Sequence, residues 1–233
     1  ICGKISMSLD FDSARLNNSH LTAEHEEWRA QLRRFFDREV IPFAGQWDED
    51  GALPDELWPK AAAVGILGLG YPEEFGGVSE GIDIWHKNIL NEEMARIAVG
   101  GLSATLMVHG IGLPPVLNFA SEAIKQEVAP PVLAGTKRIS LAITEPGAGS
   151  DVAHLTTTAR LDGDHYVVNG SKTYITGGMN ANWFTTAVRT GGEGAGGVSA
   201  LLIPADLEGV SRTALDKKQG WWCSDTATIY FDN

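Results

Sequence analysis

The chain has 233 residues, 43% of them apolar, and carries 18 basic against 30 acidic side chains for a net charge of −12. At roughly 150 residues per domain this is one large domain or two small ones, with enough apolar content for a core, which excludes a disordered chain. So acidic a chain with no basic stripe excludes nucleic acid as a partner, and Cys2 and Cys223 alone exclude a disulfide framework and suit a reducing cytoplasm.

Residues 1–20 read as an N-terminal extension without a signal peptide: ICGKIS looks like a cloning remnant and Met7 a native start. Thr22 is a good N-cap, and Trp28, Leu32, Phe35, Phe36 and Val40 follow at helical spacing up to Pro42. Glu26, Arg29, Arg33 and Arg34 fall on the wet side of this first helix. A second starts at Pro54-Asp55, runs through Leu57, Trp58, Ala61, Ala62 and Val64, and stops at Gly65. A third spans about Ile82 to Ala98, with Trp85, Ile89, Leu90, Met94 and Ile97 on its apolar face. A fourth covers Leu102 to Val108. Ser121 caps a fifth, Glu122 to Leu133, kinked or shortened by Pro130-Pro131. No charged residue lies between Arg96 and Glu122, but the glycines there, Pro114-Pro115 and His109 argue for a buried helix and a turn, not a membrane span.

At Lys137 the apolar period switches from 3.6 to 2. Ile139 to Ile143 is a short buried strand. Thr156 to Leu161 and His165 to Val168 flank Asp162-Gly163, a hairpin signal; His165 to Val168 and Ser171 to Ile175 flank Asn169-Gly170, a second one. Trp183 to Arg189, Val198 to Ile203 and Ala227 to Phe231 are later strands. Helices first and strands afterwards give an α+β fold: a helical domain over residues 21–136, then an antiparallel β-barrel or sandwich over 137–233.

Several apparent motifs dissolve on inspection. Gly192-x-Gly194-x-x-Gly197 has the dinucleotide spacing but lies between two strands with no helix after it. Gly170-Ser171-Lys172-Thr173 has one residue too many between Gly and Lys for a phosphate loop. The histidines at 20, 25, 86, 109, 154 and 165 show no metal-ligand spacing, so no metal site is expected.

Two stretches carry more. Ile139 to Asp151 reads ISLAITEPGAGSD, an apolar strand opening into a loop almost without side-chain bulk, where backbone N–H groups and the Ser150 hydroxyl can approach a ligand. Asn169 to Gly178 reads NGSKTYITGG, and Asp162-Gly163-Asp164-His165-Tyr166 lies between the two. In order and spacing these resemble the T-E-P-x-A-G-S-D, x-G-D-x-Y and N-G-x-K-x-x-I-T pattern of the acyl-CoA dehydrogenase family of flavoproteins. The resemblance extends from about Leu21 to the last residue.

The resemblance implies FAD-dependent α,β-dehydrogenation of an acyl-CoA thioester in fatty acid β-oxidation, with electrons passed to an electron-transfer flavoprotein by a homodimer or homotetramer. Leu141, Ile143 and Thr144 would line the flavin, Thr144 bonding its pyrimidine side. Gly149 and Ser150 would approach the cofactor, and Ser150 would also touch the acyl-CoA. Tyr174, Ile175 and Thr176 would lie across the other flavin face, with the Thr176 hydroxyl near N5. Leu106 would help limit the acyl chain. Taken singly, Thr176 is also a strand-end threonine, and Tyr174 and Leu106 core residues. Three positions depart from the family's common choices: Gly177 where Asn is frequent, Leu141 where an aromatic is, and Tyr174 where Trp is. In the family a C-terminal four-helix bundle follows and brings the catalytic base, which is expected here beyond Asn233. Glu92, Glu93 and Glu145 are not nominated for that role, and these 233 residues alone are expected to be inactive. An oxidase-like relative and a catalytically silent scaffold on the same fold are the alternatives.

Overall fold

The computed structural model describes residues 18–233; the ICGKIS segment, Met7 and Cys2 lie outside the described residues. Two compact units make up the described chain, and each gathers segments that are not contiguous in sequence.

The first unit contains the described residues up to Leu106, together with Leu133–Thr136 and Gln219–Ser224. Its first helix, α1 (Ala23–Glu39), is capped by Thr22, whose hydroxyl accepts from the His25 N–H while the His25 ring accepts from the Thr22 N–H. Leu32, Phe35 and Phe36 are buried along it, as their spacing requires. Arg29 is buried too, which corrects its placement on the wet side. Its guanidinium meets Glu92 at 2.6 Å and Glu93 at 3.3 Å, and a paired charge can lie where an unpaired one cannot. Pro42 does not close the helical region but sits in the first turn of α2 (Ile41–Asp50), where a missing N–H costs nothing. Next come α3 (Leu57–Ala63), α4 (Ile84–Ala95) capped by Asp83, and α5 (Gly100–Leu106). The Gln219–Ser224 segment is tied into this unit by Thr105 Oγ1 to Ser224 Oγ at 2.7 Å and by the Cys223 N–H to Asp48 at 3.0 Å.

The second unit holds Met107–Val132, Lys137–Lys218 and Asp225–Asn233. Its helices are α6 (His109–Phe119) and α7 (Glu122–Leu133), and α6 contains Pro114 and Pro115, read from sequence as interruptions. Gly100–Phe119 is long and apolar enough to cross a membrane by length and composition, but a turn at Met107-Val108 divides it into α5 and α6. The strands are β1 (Ile139–Ala142), β2 (Thr158–Asp162), β3 (His165–Thr176), β4 (Trp183–Arg189), β5 (Val198–Pro204), β6 (Val210–Ala214) and β7 (Thr226–Asp232). They form one sheet in the order β1-β4-β2-β3-β7-β6, with β5 also on β4. It is mixed rather than wholly antiparallel, because β1 and β2 both run parallel to β4. Ala142, Ile175, Phe184, Ile203, Ala227, Ile229 and Phe231 fill its core. The Thr185 hydroxyl donates to the Gly112 carbonyl at 2.7 Å, fixing α6 on β4.

The Asp162-Gly163 hairpin forms, with Asp162 paired to His165. Asn169-Gly170 is no hairpin: β3 runs straight through it for 12 residues, exchanging β2 for β7 as its partner. Gly170 is needed for a different reason. Its φ is +143°, and a Cβ there would lie 2.6–2.9 Å from Thr157 atoms, including its Cα. Gly170→Ala is therefore expected to destabilise the protein by about 1–3 kcal/mol, read as a lowered urea midpoint. Gly147→Ala, where a Cβ meets nothing within 4 Å, is expected to leave the midpoint unchanged.

Candidate functional site

Strand β1 ends at Ala142, and the chain continues as Ile143-Thr144-Glu145 beside the middle of β3. Two contacts join these segments. The Thr173 N–H donates to the Thr144 carbonyl at 2.8 Å, and Lys172 reaches in to donate to the Ile143 carbonyl at 3.0 Å and to Glu145 Oε1 at 2.7 Å. Glu145 Oε1 also accepts from the Thr157 N–H at 2.9 Å, while Oε2 accepts from the Thr156 N–H at 2.6 Å and its hydroxyl at 2.8 Å. Lys172 is fully buried and Glu145 nearly so. Burial alone would raise the Glu145 pKa, but Lys172, Thr157 and the backbone N–H groups outweigh it and hold the carboxyl at about 2. Burial pushes the Lys172 ammonium below its ordinary value, against the pull of Glu145. Glu145, read as loop structure, is thus a buried anchor for the whole motif.

Around this anchor the structure brings together most of the expected residues. Leu141 on β1 and Ile143 and Thr144 beyond it are half-buried, open on one side. Mutual N–H to carbonyl bonds between Glu145 and Ala148, at 2.9 and 3.1 Å, close the Pro146-Gly147 turn, and Gly149 and Ser150 follow in exposed positions. A Cβ at Gly147 or Gly149 would meet no atom within 4 Å, so this loop faces open space. Tyr174 is 65% exposed, not a core aromatic, and its φ is +59°. It sits in the bulge where the β3–β7 register shifts between Lys172 and Ile175. Ile175 is buried in the sheet core, so only its backbone is open to a ligand. Thr176 ends β3 half-buried. Leu106 belongs to the other unit and its side chain is fully buried there.

Sequence reasoning missed the residues that hold the turn after Thr176. Gly177 has φ +72°, and a Cβ there would lie 2.9 Å from Ser140 Oγ, which suits glycine at this departure from the family pattern. Asp225 accepts the Gly177 N–H on its carbonyl at 2.9 Å and the Met179 N–H on its carboxylate at 2.7 Å. Arg212 donates to the carbonyls of Gly178, Met179, Ala181 and Ala205 at 2.7–3.3 Å. An arginine bonded to carbonyls leaves no trace in sequence spacing.

The carboxylates not nominated as base are accounted for. Glu92 and Glu93 lie on α4, and Glu93 is buried against Arg29, Arg33 and Arg96 at 2.7–3.3 Å. The Gly192–Gly197 stretch connects β4 to β5, and Arg189 fastens it through the Gly192 and Gly194 carbonyls. The histidine spacing gave no metal signal, yet the fold draws His25, Asp83 and His86 together, with one ligand atom from each within 4.8 Å of the others.

A helical unit and a mixed-sheet unit whose adjoining segments carry T-E-P and N-G-x-K-x-x-I-T define the architecture of the acyl-thioester dehydrogenases. Residues 22–136 match the family model of the acyl-CoA dehydrogenase N-terminal domain and 140–233 that of the middle domain. The chain belongs to the acyl-CoA dehydrogenase family. It is 34% identical over 233 residues to acyl-CoA dehydrogenase AFT10-1 of Alternaria alternata, a match covering 94% of this chain and 54% of that protein. A crystal structure of a "probable acyl CoA dehydrogenase" from Mycobacterium abscessus superposes with a TM-score of 0.86 at 44% identity, covering 91% of this chain and 56% of that one. An acyl-CoA dehydrogenase from Bacillus anthracis complexed with FAD gives 0.82 at 32% identity, over 93% and 37% of the two chains. The chain spans about half the length of the curated relatives it matches.

Glu145→Gln would leave the Lys172 ammonium buried without its counter-charge, at an expected cost of about 3–5 kcal/mol. Because the folded pKa of Glu145, about 2, lies below its ordinary 4.5, the pair's contribution is full above pH 4.5 and fades as pH falls toward 2. Urea midpoints of wild type and Glu145→Gln should therefore lie far apart at pH 7 and converge below pH 4.5. A constant gap across that series would show that the carboxylate charge is not what matters.

Proposed function

We propose that this protein is an FAD-dependent acyl-CoA dehydrogenase that removes hydrogen across the α,β bond of an acyl thioester and delivers the electrons to an electron-transfer flavoprotein. The observation that carries the reading is the joining of the two motif segments by the Glu145–Lys172 pair and the Thr173–Thr144 backbone bond. That joining sets half-buried Leu141, Ile143 and Thr144 and an open glycine loop on segments adjoining an outward-facing Tyr174 and Thr176.

These residues fit a flavin. A flat, partly apolar ring system needs apolar wall, hydroxyl and N–H donors, and a stretch without side-chain bulk, and each is present on one of these segments. FAD, when bound, supplies the hydride acceptor. Thr144 and Thr176 then act as hydroxyl donors that orient the ring, and Tyr174 covers one face and excludes water. Gly149 and Ser150 present N–H and hydroxyl donors where cofactor and thioester approach. Glu145 and Asp225, the carboxylates tied into this site, are engaged as acceptors of structural hydrogen bonds, so neither is free to take the α-proton. Substrate chain length stays with the acyl pocket, and the homo-oligomeric, cytoplasmic assignment with the family resemblance and the two-cysteine composition.

The full-length protein is expected to purify yellow and to release FAD on denaturation, whereas the 233-residue chain supplied with FAD, saturated acyl-CoA and an artificial acceptor is expected to show no useful turnover. Thr176→Ala should cost about two- to tenfold in turnover, the worth of one hydrogen bond of 0.5–1.5 kcal/mol, and shift the flavin absorption bands. A colourless full-length protein without extractable flavin would mean a silent scaffold. Turnover sustained by O₂ alone would mean an oxidase.

A further inference from the structure

We propose that His25, Asp83 and His86 form a binding site for a divalent transition-metal ion of the zinc type, clamping the first turns of α1 and α4 together. His25 Nε2 lies 3.0 Å from Asp83 Oδ1, and His86 Nδ1 lies 2.9 Å from the same oxygen. The two imidazole rings are 4.3 Å apart between centroids and both are buried, while the Asp83 side chain is about half exposed. Ligand atoms around a tetrahedral zinc with bonds near 2.0–2.1 Å stand about 3.3 Å apart, so the two nitrogen-to-Oδ1 distances need only a few tenths of an ångström of expansion, and all three ligand atoms lie within 4.8 Å of one another.

Both histidines occupy the third position of a helix, which brings their rings to the first turns of α1 and α4. Metal at His25 Nε2 moves the ring proton to Nδ1, which then donates to the Thr22 hydroxyl at 3.1 Å in place of accepting the Thr22 N–H. This is the outer-shell bond that fixes a ligating histidine. Asp83 Oδ1 already accepts the Trp85 and His86 N–H groups at 2.9 and 3.2 Å, which orients the carboxylate toward the two rings, and metal at His86 Nδ1 takes the lone pair that otherwise accepts the Asp83 N–H at 3.3 Å. Glu24 and Glu27 line the groove that His86 also lines, so the local charge is acidic. The half-exposed Asp83 leaves a path for entry and a place for a water as fourth ligand. Two imidazoles and one carboxylate select Zn²⁺, Co²⁺, Ni²⁺ or Cu²⁺ over Mg²⁺ and Ca²⁺, which prefer oxygen. None of these residues belongs to the flavin site proposed above, so failure of either reading leaves the other standing.

The test uses protein stripped with chelator and titrated with ZnCl₂ by calorimetry at pH 7.5. One ion per chain at micromolar affinity is expected, with a rise of several degrees in thermal midpoint that MgCl₂ does not produce. His25→Gln and His86→Gln should each weaken binding at least 100-fold, whereas His154→Gln, a substitution of an exposed histidine, should not. Because the two buried histidines also cap helices, CoCl₂ added to the wild-type protein gives a readout that needs no variant: intense visible bands of a tetrahedral site. Absence of those bands, failure of zinc to bind one to one, or binding retained in folded His25→Gln and His86→Gln would overturn the proposal.

Discussion

A buried lysine and a buried glutamate, 2.7 Å apart, set the geometry on which the sheet unit's motif segments depend. The pair joins residues far apart in sequence, and each partner spends its remaining capacity on backbone. Lys172 holds the Ile143 carbonyl, and Glu145 holds the N–H groups of Thr156 and Thr157. Desolvating two charges costs several kcal/mol per ion, so such a pair is weak as a source of net stability. Its effect is selective instead: any other register of the T-E-P loop against β3 leaves a charge and three backbone groups buried without partners. A hydrophobic pair of equal volume could match the stability and would lose that discrimination.

The strand that carries Lys172 departs from plain alternation, and the departure turns Tyr174 to the outside. By period two, Tyr174 should share a face with Lys172 and be buried. The bulge at Tyr174, with its φ of +59°, inserts an extra residue, so Lys172 and Ile175 both turn inward while Tyr174 turns out. A left-handed tyrosine costs of order 1–3 kcal/mol and persists only where its surroundings over-determine it. Here Lys172 pins one side of the bulge, and Arg212 and Asp225 pin the turn just beyond it. Strain and anchors therefore occupy one continuous stretch, from Lys172 to Ala181.

Local signals were legible in the sequence, and non-local ones were not. Thr22, the apolar spacing of α1 and the Asp162-Gly163 hairpin each act within a few residues, and each was read correctly. Pro42 and Pro114-Pro115 were read as stops because proline's meaning depends on its position in the turn, which spacing alone does not fix. Asn169-Gly170 has the residues of a hairpin, but its glycine answers to Thr157, a packing contact that pattern cannot show. Strand β6 was missed because Val210–Ala214 is mostly polar and exposed, so nothing in its alternation marks it. The motif segments were found through family spacing. What fastens them, Arg212 and Asp225, was not, since carbonyl-bound arginines and turn-capping aspartates carry no periodicity.

The distribution of cations follows from the same accounting. A chain of net charge −12 repels an anionic ligand at long range, so any attraction must be local. Several of its basic side chains are buried or turned back onto the protein. Lys172 and Arg29 are buried in ion pairs, and Arg189 and Arg212 are turned onto backbone carbonyls. An arginine placed this way satisfies up to four carbonyls that a loop cannot satisfy for itself, and so holds irregular backbone in one conformation. The positive charge is thereby spent on fixing loops rather than on drawing ligands in. The Pro146–Ser150 loop is exposed at Gly147, Gly149 and Ser150, and a Cβ at either glycine would meet no atom within 4 Å. For the cofactor site proposed above, short N–H and hydroxyl contacts from Gly149 and Ser150 would act only at close approach, so the bonds between Glu145 and Ala148 that close the start of that loop become a condition of binding rather than an ornament of the fold.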